Sequence, residues 1–237
     1  MELWKVILLF SAAFLGGLTV FVSKKANNQR LKLVLSFSGA YLFAITVLHL
    51  IPEVYQTADQ TIGLYVIGGF LFQIILEQFS EGIEHGHIHA HTHQQLAFPI
   101  GIMASLCIHA FLEGVPLSNG LQNELVFGIA LHHVPAAFAL VMVLSHHKVS
   151  KRNIVILLFV FALMSPLGYM LSLELSTGTL GNFESYFNRI MALVIGMFLH
   201  ISTTILFESS VDHRFNFKKL VAVLLGIGVA VLSFLSN

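Results

Sequence analysis

The chain has 237 residues, 56% hydrophobic and 10% charged, with twelve basic and twelve acidic residues and a net charge of zero. Soluble domains carry about 25% charged residues, so this composition and a mean hydropathy of +0.83 exclude an ordinary soluble domain. Zero net charge offers nothing to nucleic acid, and a single cysteine, Cys107, rules out an intrachain disulfide.

A helix needs about 20 apolar residues to cross the hydrocarbon core. On that rule the chain is an all-α, polytopic membrane protein with eight transmembrane helices, at about 3–23, 32–54, 62–80, 96–117, 125–146, 153–173, 187–209 and 217–236. The gaps are short and polar, so residues 1–237 read as a single transmembrane domain in the lipid bilayer. The opening M-E-L-W-K has only Lys5 before its apolar run and no small-residue cleavage site, which reads as a retained span.

Basic residues set the orientation. Lys24, Lys25, Arg30 and Lys32 flank the first connection, Lys148, Lys151 and Arg152 the fifth, and Arg214, Lys218 and Lys219 the seventh. The other face has only Lys5 and Arg189, so the balance is ten against two. Both termini are expected outside, in the plasma or inner membrane of the cell. Spans 1–3 and 6–8 then run in opposite directions about spans 4 and 5, which permits a 3+2+3 inverted repeat.

The third connection, 81–95, reads E-G-I-E-H-G-H-I-H-A-H-T-H-Q-Q and falls on the cytoplasmic side. His85, His87, His89, His91 and His93 alternate through it, a composition that suits flexible metal capture. It lacks the spaced ligand pairs of a structural zinc site.

Spans 4 and 5 carry the chemistry. His109 and Glu113 are four apart in S-L-C-I-H-A-F-L-E-G-V-P, so they lie within ~40° on one helix face. His132 and His133 lie in G-I-A-L-H-H-V-P-A-A on the antiparallel neighbour. Counted from the span centres at 1.5 Å per residue, His109 sits ~4 Å and His132 ~5 Å toward the outer face, so they are level. Ionisable groups at membrane depth usually mark a site or pathway. A set of two histidines and a carboxylate with an open position suits Zn²⁺ and tolerates Fe²⁺, Mn²⁺, Co²⁺ or Cd²⁺. His133 points ~100° from His132 and need not reach the same ion. Pro116 and Pro135 follow closely, and a kink is expected beside the ligands.

Further polar groups occur at other depths. His49 and Glu53 flank Pro52 near the outer end of span 2; Glu77 and Glu81 lie near the inner end of span 3. His200 and Glu208 share a face on the inner half of span 7, and His146 and His147 close the inner end of span 5. A hydrolase needs one buried site, whereas ligands at several depths suit a permeation route.

Four motifs, in order along essentially the whole chain, resemble the ZIP (Zrt-, Irt-like) family of divalent-metal transporters. H-A-F-L-E-G at 109–114 resembles its H-N-x-x-E/D-G, and H-H-V-P-A at 132–136 its H-E-x-P-H/E. V-L-H-L-I-P-E at 47–53 resembles H-L-x-P-E, and S-P-L-G at 165–168 resembles E-P-L-G. The resemblance implies eight spans, both termini outside, a histidine-rich cytoplasmic loop and alternating access, with Zn²⁺ as transported substrate. Many members are dimers, and the small residues in these helices would permit a homodimer.

The departures are specific. Members often hold two metals side by side; here the implied first site keeps His109, Glu113 and His132, with Ala136 at a further ligand position. The implied second site would draw on Ala110, His133, Ala136 and Ser165 beside Glu113, and alanine cannot ligate. The expectation is one intact site and one lost. Two further readings stand beside transport of a divalent cation: a degenerate metal sensor or non-transporting homologue, and an intramembrane zinc hydrolase with metal-activated water.

Overall fold

The computed structural model describes residues 2–22, 28–56, 59–80, 82, 100–119, 123–177, 183–208 and 217–236. Among these residues there is no strand, and eight helices are long and apolar enough to cross a membrane. Span 1 is Leu3–Val22, span 3 Ile62–Ser80, span 5 Asn123–His146 and span 8 Phe217–Ser236. Span 6 is Lys151–Thr177 and span 7 Phe183–Glu208, each a few residues longer than its apolar run. The helix outlasts the hydrocarbon because its hydrogen bonds are satisfied along the chain wherever the bilayer ends. The histidine-rich stretch lies outside the described residues.

Prolines act differently in three spans. Span 2 runs as an α-helix over Asn28–Ile45, a π-helical turn over Thr46–Leu50 and a last helical turn over Ile51–Val54. Pro52 has no N–H for the carbonyl of Leu48. The turn before it widens, and the Ile51 N–H bonds the Thr46 carbonyl five residues back. Span 4 is α-helical over Ile100–Gly114 and tightens into a 3₁₀ helix, Val115–Asn119, around Pro116. In span 5 the helix continues through Pro135. Near the ligands, the change of helix type falls in span 4, after Gly114.

Packing follows a pairwise scheme. Span 1 lies on span 5 and span 6 on span 4; span 3 lies on span 7 and span 8 on span 2. Spans 1 and 6 also touch, as do 2 and 7. Exchanging 1 with 6, 2 with 7, 3 with 8 and 4 with 5 swaps the first four pairs among themselves and maps each of the last two onto itself. That is the pattern an inverted repeat produces.

Close crossings hold the pairs together. Lipid tails are as apolar as leucine, so helices gain by backbone approach at small residues. A Cβ on Gly114 would stand 2.0 Å from the Ser165 carbonyl oxygen, and one on Gly168 2.0 Å from that of Phe111. Spans 4 and 6 are thereby clamped at the level of Glu113. Gly69 and Gly196 do the same for spans 3 and 7, against Leu193 and Val66.

Two hydrophobic clusters fill the interior. One joins spans 1, 4, 5 and 6 through Ala13, Leu106, Ala137 and Phe161. The other draws on all eight, with Leu42, Ile129 and Phe198 among its members. Span 5 is the most enclosed, 72% of its apolar window being buried, against 11% for span 8. Span 5, which carries His132 and His133, is therefore central in space as well as in sequence.

Candidate metal centre

The helical period alone places His109 and Glu113 together, and their nearest atoms, His109 Nε2 and Glu113 Oε1, are 3.3 Å apart. Packing of span 5 adds His132, and the donor atoms of all three lie within 4.8 Å of one another. Among the described residues this is the one such group of three. All are buried, with Glu113 fully so. Zinc holds imidazole nitrogens and carboxylate oxygens at about 2.0–2.2 Å in a tetrahedron, which sets neighbouring donors about 3.3–3.6 Å apart. The His109–Glu113 pair already stands at that separation. Neither of its facing atoms makes a hydrogen bond.

His133 takes a different place. Its Nε2 lies 2.6 Å from Glu113 Oε2, and its ring packs against Phe161 at 5.8 Å. A carboxylate only accepts, so His133 Nε2–H donates to it. The two oxygens of Glu113 thus have separate neighbours, Oε2 receiving His133 and Oε1 facing His109. Local helix geometry left His133 undecided; the position of span 4 brings it onto the carboxylate.

Sequence reasoning missed Gln73. This glutamine of span 3 is completely buried, and its Oε1 lies 3.2 Å from His109 Nδ1. Its signal was present: a lone amide in the apolar run G-G-F-L-F-Q-I-I-L, four residues before Glu77. Without span 3 packed near span 4, nothing pointed to His109 as its partner.

The outlying groups divide. Glu77 and His200, read separately from the sequence, meet across spans 3 and 7 with 2.5 Å between Oε2 and Nε2. Phe70 covers the His200 ring edge-on at 5.0 Å. The close crossing of spans 3 and 7 brings the Glu77 carboxylate onto His200. His49 sits on the π-helical turn, edge-on to Phe234 of span 8 at 5.1 Å, with Glu53 one turn on. Glu81, His85, His87, His89, His91, His93 and the Glu208 side chain lie outside the described residues.

A family model described as ZIP zinc transporter matches residues 84–234. The chain belongs to the ZIP family. It is 30% identical over 118 residues to zinc transporter ZIP9-B of Xenopus laevis, covering 47% of this chain and 39% of that protein. Zinc transporter ZIP9 of Micropogonias undulatus matches at the same 30%, over 47% of this chain and 38% of its own. Protein zntD of Dictyostelium discoideum is 26% identical over 162 residues, 60% of this chain and 23% of that protein. The chain spans well under half the length of the curated relatives it matches. Within the ZIP fold, the positions where resemblance implied further ligands are occupied by packing: Ala110 and Ala136 belong to the cluster between spans 1, 4, 5 and 6. Ser165 is buried in span 6 with its hydroxyl making no hydrogen bond.

Proposed function

We propose that this ZIP chain forms one transmembrane transporter domain that moves a divalent cation, Zn²⁺ before Fe²⁺, Mn²⁺, Co²⁺ or Cd²⁺, into the cytoplasm through a single site made by His109, Glu113 and His132. The observation that carries this reading is the His109–Glu113 contact: two buried groups 3.3 Å apart with no hydrogen bond between them, and His132 beside them. Two nitrogens and one oxygen are a borderline-soft set that favours zinc. Membership of a family of transporters speaks against the intramembrane hydrolase.

The orientation comes from the ten-to-two distribution of basic residues, with both termini outside a cell membrane. On that orientation His49 and Glu53 receive ions from outside. Glu77 and His200, 2.5 Å apart, lie on the inner half and take them onward, with Glu81, Glu208 and the histidine loop nearest the cytoplasm. His133 acts from beside the ion, through Glu113, rather than as the ligand of a second one.

Radio-zinc uptake into proteoliposomes tests the site. Wild type should accumulate zinc, Glu113→Ala should not, and deletion of residues 85–93 should alter regulation while leaving basal uptake. Normal uptake by Glu113→Ala would remove the central site from the route. The alternative, a non-transporting sensor, is favoured by Ala110, Ala136 and Ser165 standing where ligands are implied. Zinc binding without uptake in wild type would select it.

A further inference from the structure

Among the described residues Gln73 is the one fully buried amide against the central set, and its chemistry is directional. The carbonyl oxygen of an amide accepts and never donates. With Gln73 Oε1 3.2 Å from His109 Nδ1, the hydrogen bond between them requires the proton on Nδ1. A neutral imidazole then bears its lone pair on Nε2. That atom is the one facing Glu113 Oε1 at 3.3 Å, and the absence of a hydrogen bond there agrees with two acceptors confronting each other. Metal-ligating histidines almost always have the second ring nitrogen engaged in this way.

Gln73 and Glu77 are four apart, hence on one face of span 3. The first meets His109 of span 4 and the second meets His200 of span 7. Span 3 itself contributes neither histidine nor ligand to the central set. Its polar face meets imidazoles that other spans supply.

We infer that Gln73 is a positioning residue that fixes His109 in the Nδ1–H tautomer and so presents the Nε2 lone pair to the ion. This rests on the reading of His109, Glu113 and His132 as the metal site, and it goes beyond that reading by assigning a role to span 3.

The test joins a structural and a binding measurement on the full chain in nanodiscs. Without metal, in a buffer basic enough to keep imidazoles neutral, nitrogen-15 spectra of histidine-labelled protein report which ring nitrogen bears the proton. The His109 signal is identified by its loss in His109→Ala. Wild type and Gln73→Glu, which keeps an acceptor, should show Nδ1–H at His109; Gln73→Leu should show a mixture or the other tautomer. Zinc competition against a chelating dye should find Gln73→Leu weaker by about 10–100-fold, with Gln73→Glu recovering most of the affinity. An Nε2–H His109 in wild type, or a Gln73→Leu protein with unchanged tautomer or unchanged affinity, would overturn the inference. Unchanged zinc affinity in His109→Ala would instead bring down the central site and the metal-presenting half of the inference with it. The tautomer measured without metal would still decide the Gln73–His109 bond.

Discussion

Nε2 of His133 lies 2.6 Å from Oε2 of Glu113, so one oxygen of the central carboxylate is engaged by a hydrogen bond while the other faces His109. On the proposed site, consecutive histidines in span 5 do different work, His132 as a donor and His133 through Glu113. Replacing His133 by alanine leaves the three donors in place and removes the group that orients Glu113. Its zinc affinity should fall by about 10–100-fold. His132→Ala removes a donor and should cost more, eliminating the central site's share of zinc binding in the same dye competition. Equal losses in the two variants would put His133 in the coordination sphere.

Bound metal should stabilise the fold measurably. An ion that binds only the folded chain at about a hundredfold above its dissociation constant adds about 2.7 kcal/mol. Thermal unfolding of the wild-type protein in detergent should therefore shift upward with zinc and return on chelation. His109→Ala and Glu113→Ala should show no zinc-dependent shift. A shift retained in both would locate the stabilising ion elsewhere.

Adjacent glycines in span 3 should respond in opposite ways to the same substitution. A Cβ at Gly69 would stand 1.8 Å from the Leu193 carbonyl oxygen, whereas at Gly68 nothing lies within 4 Å. Gly69→Ala forces spans 3 and 7 apart and should cost about 1–3 kcal/mol or more. The same separation would pull Glu77 from His200. Gly68→Ala should be neutral or gain up to about 1 kcal/mol from helix propensity. Thermal unfolding of the two variants side by side decides the matter.

Asp59, in the connection between spans 2 and 3, offers a pH test outside the membrane. Hydrogen bonds from the side chain and backbone of Thr61, and then from Arg189 of span 7, hold its carboxyl below its ordinary 3.8. A carboxylate with a depressed folded-state pKa stabilises fully above its unfolded value, and that contribution is lost as pH falls through the folded value. Stability should therefore decline more in wild type than in Asp59→Asn as pH drops through and below 3.8. Parallel declines would show that the contacts of the Asp59 carboxylate with Thr61 and Arg189 together carry no net stabilisation.

How much of the site could be read beforehand depended on distance along the chain. His109 and Glu113 were legible because four residues make one helical turn wherever that helix sits. His132 needed only the assumption that consecutive spans lie antiparallel with their centres level. Gln73 was missed, and Glu77 and His200 were not paired, because their partners are 36 and 123 residues away. No local pattern names Glu77 as the neighbour of His200.

The sequence by itself determined the eight apolar spans, the histidine–carboxylate face of span 4 and the alanines where resemblance implied ligands. Each of these follows from residue type and helical period, which need no partner. The tertiary structure decided which oxygen of Glu113 faces His109 and which meets His133, and that span 3 reaches the centre through Gln73. Those outcomes depend on how closely helices cross, and in lipid the crossing is set by backbone contact at glycines such as Gly114 and Gly168. The fit of one helix surface against another is a property of both, so it becomes visible only once they are packed.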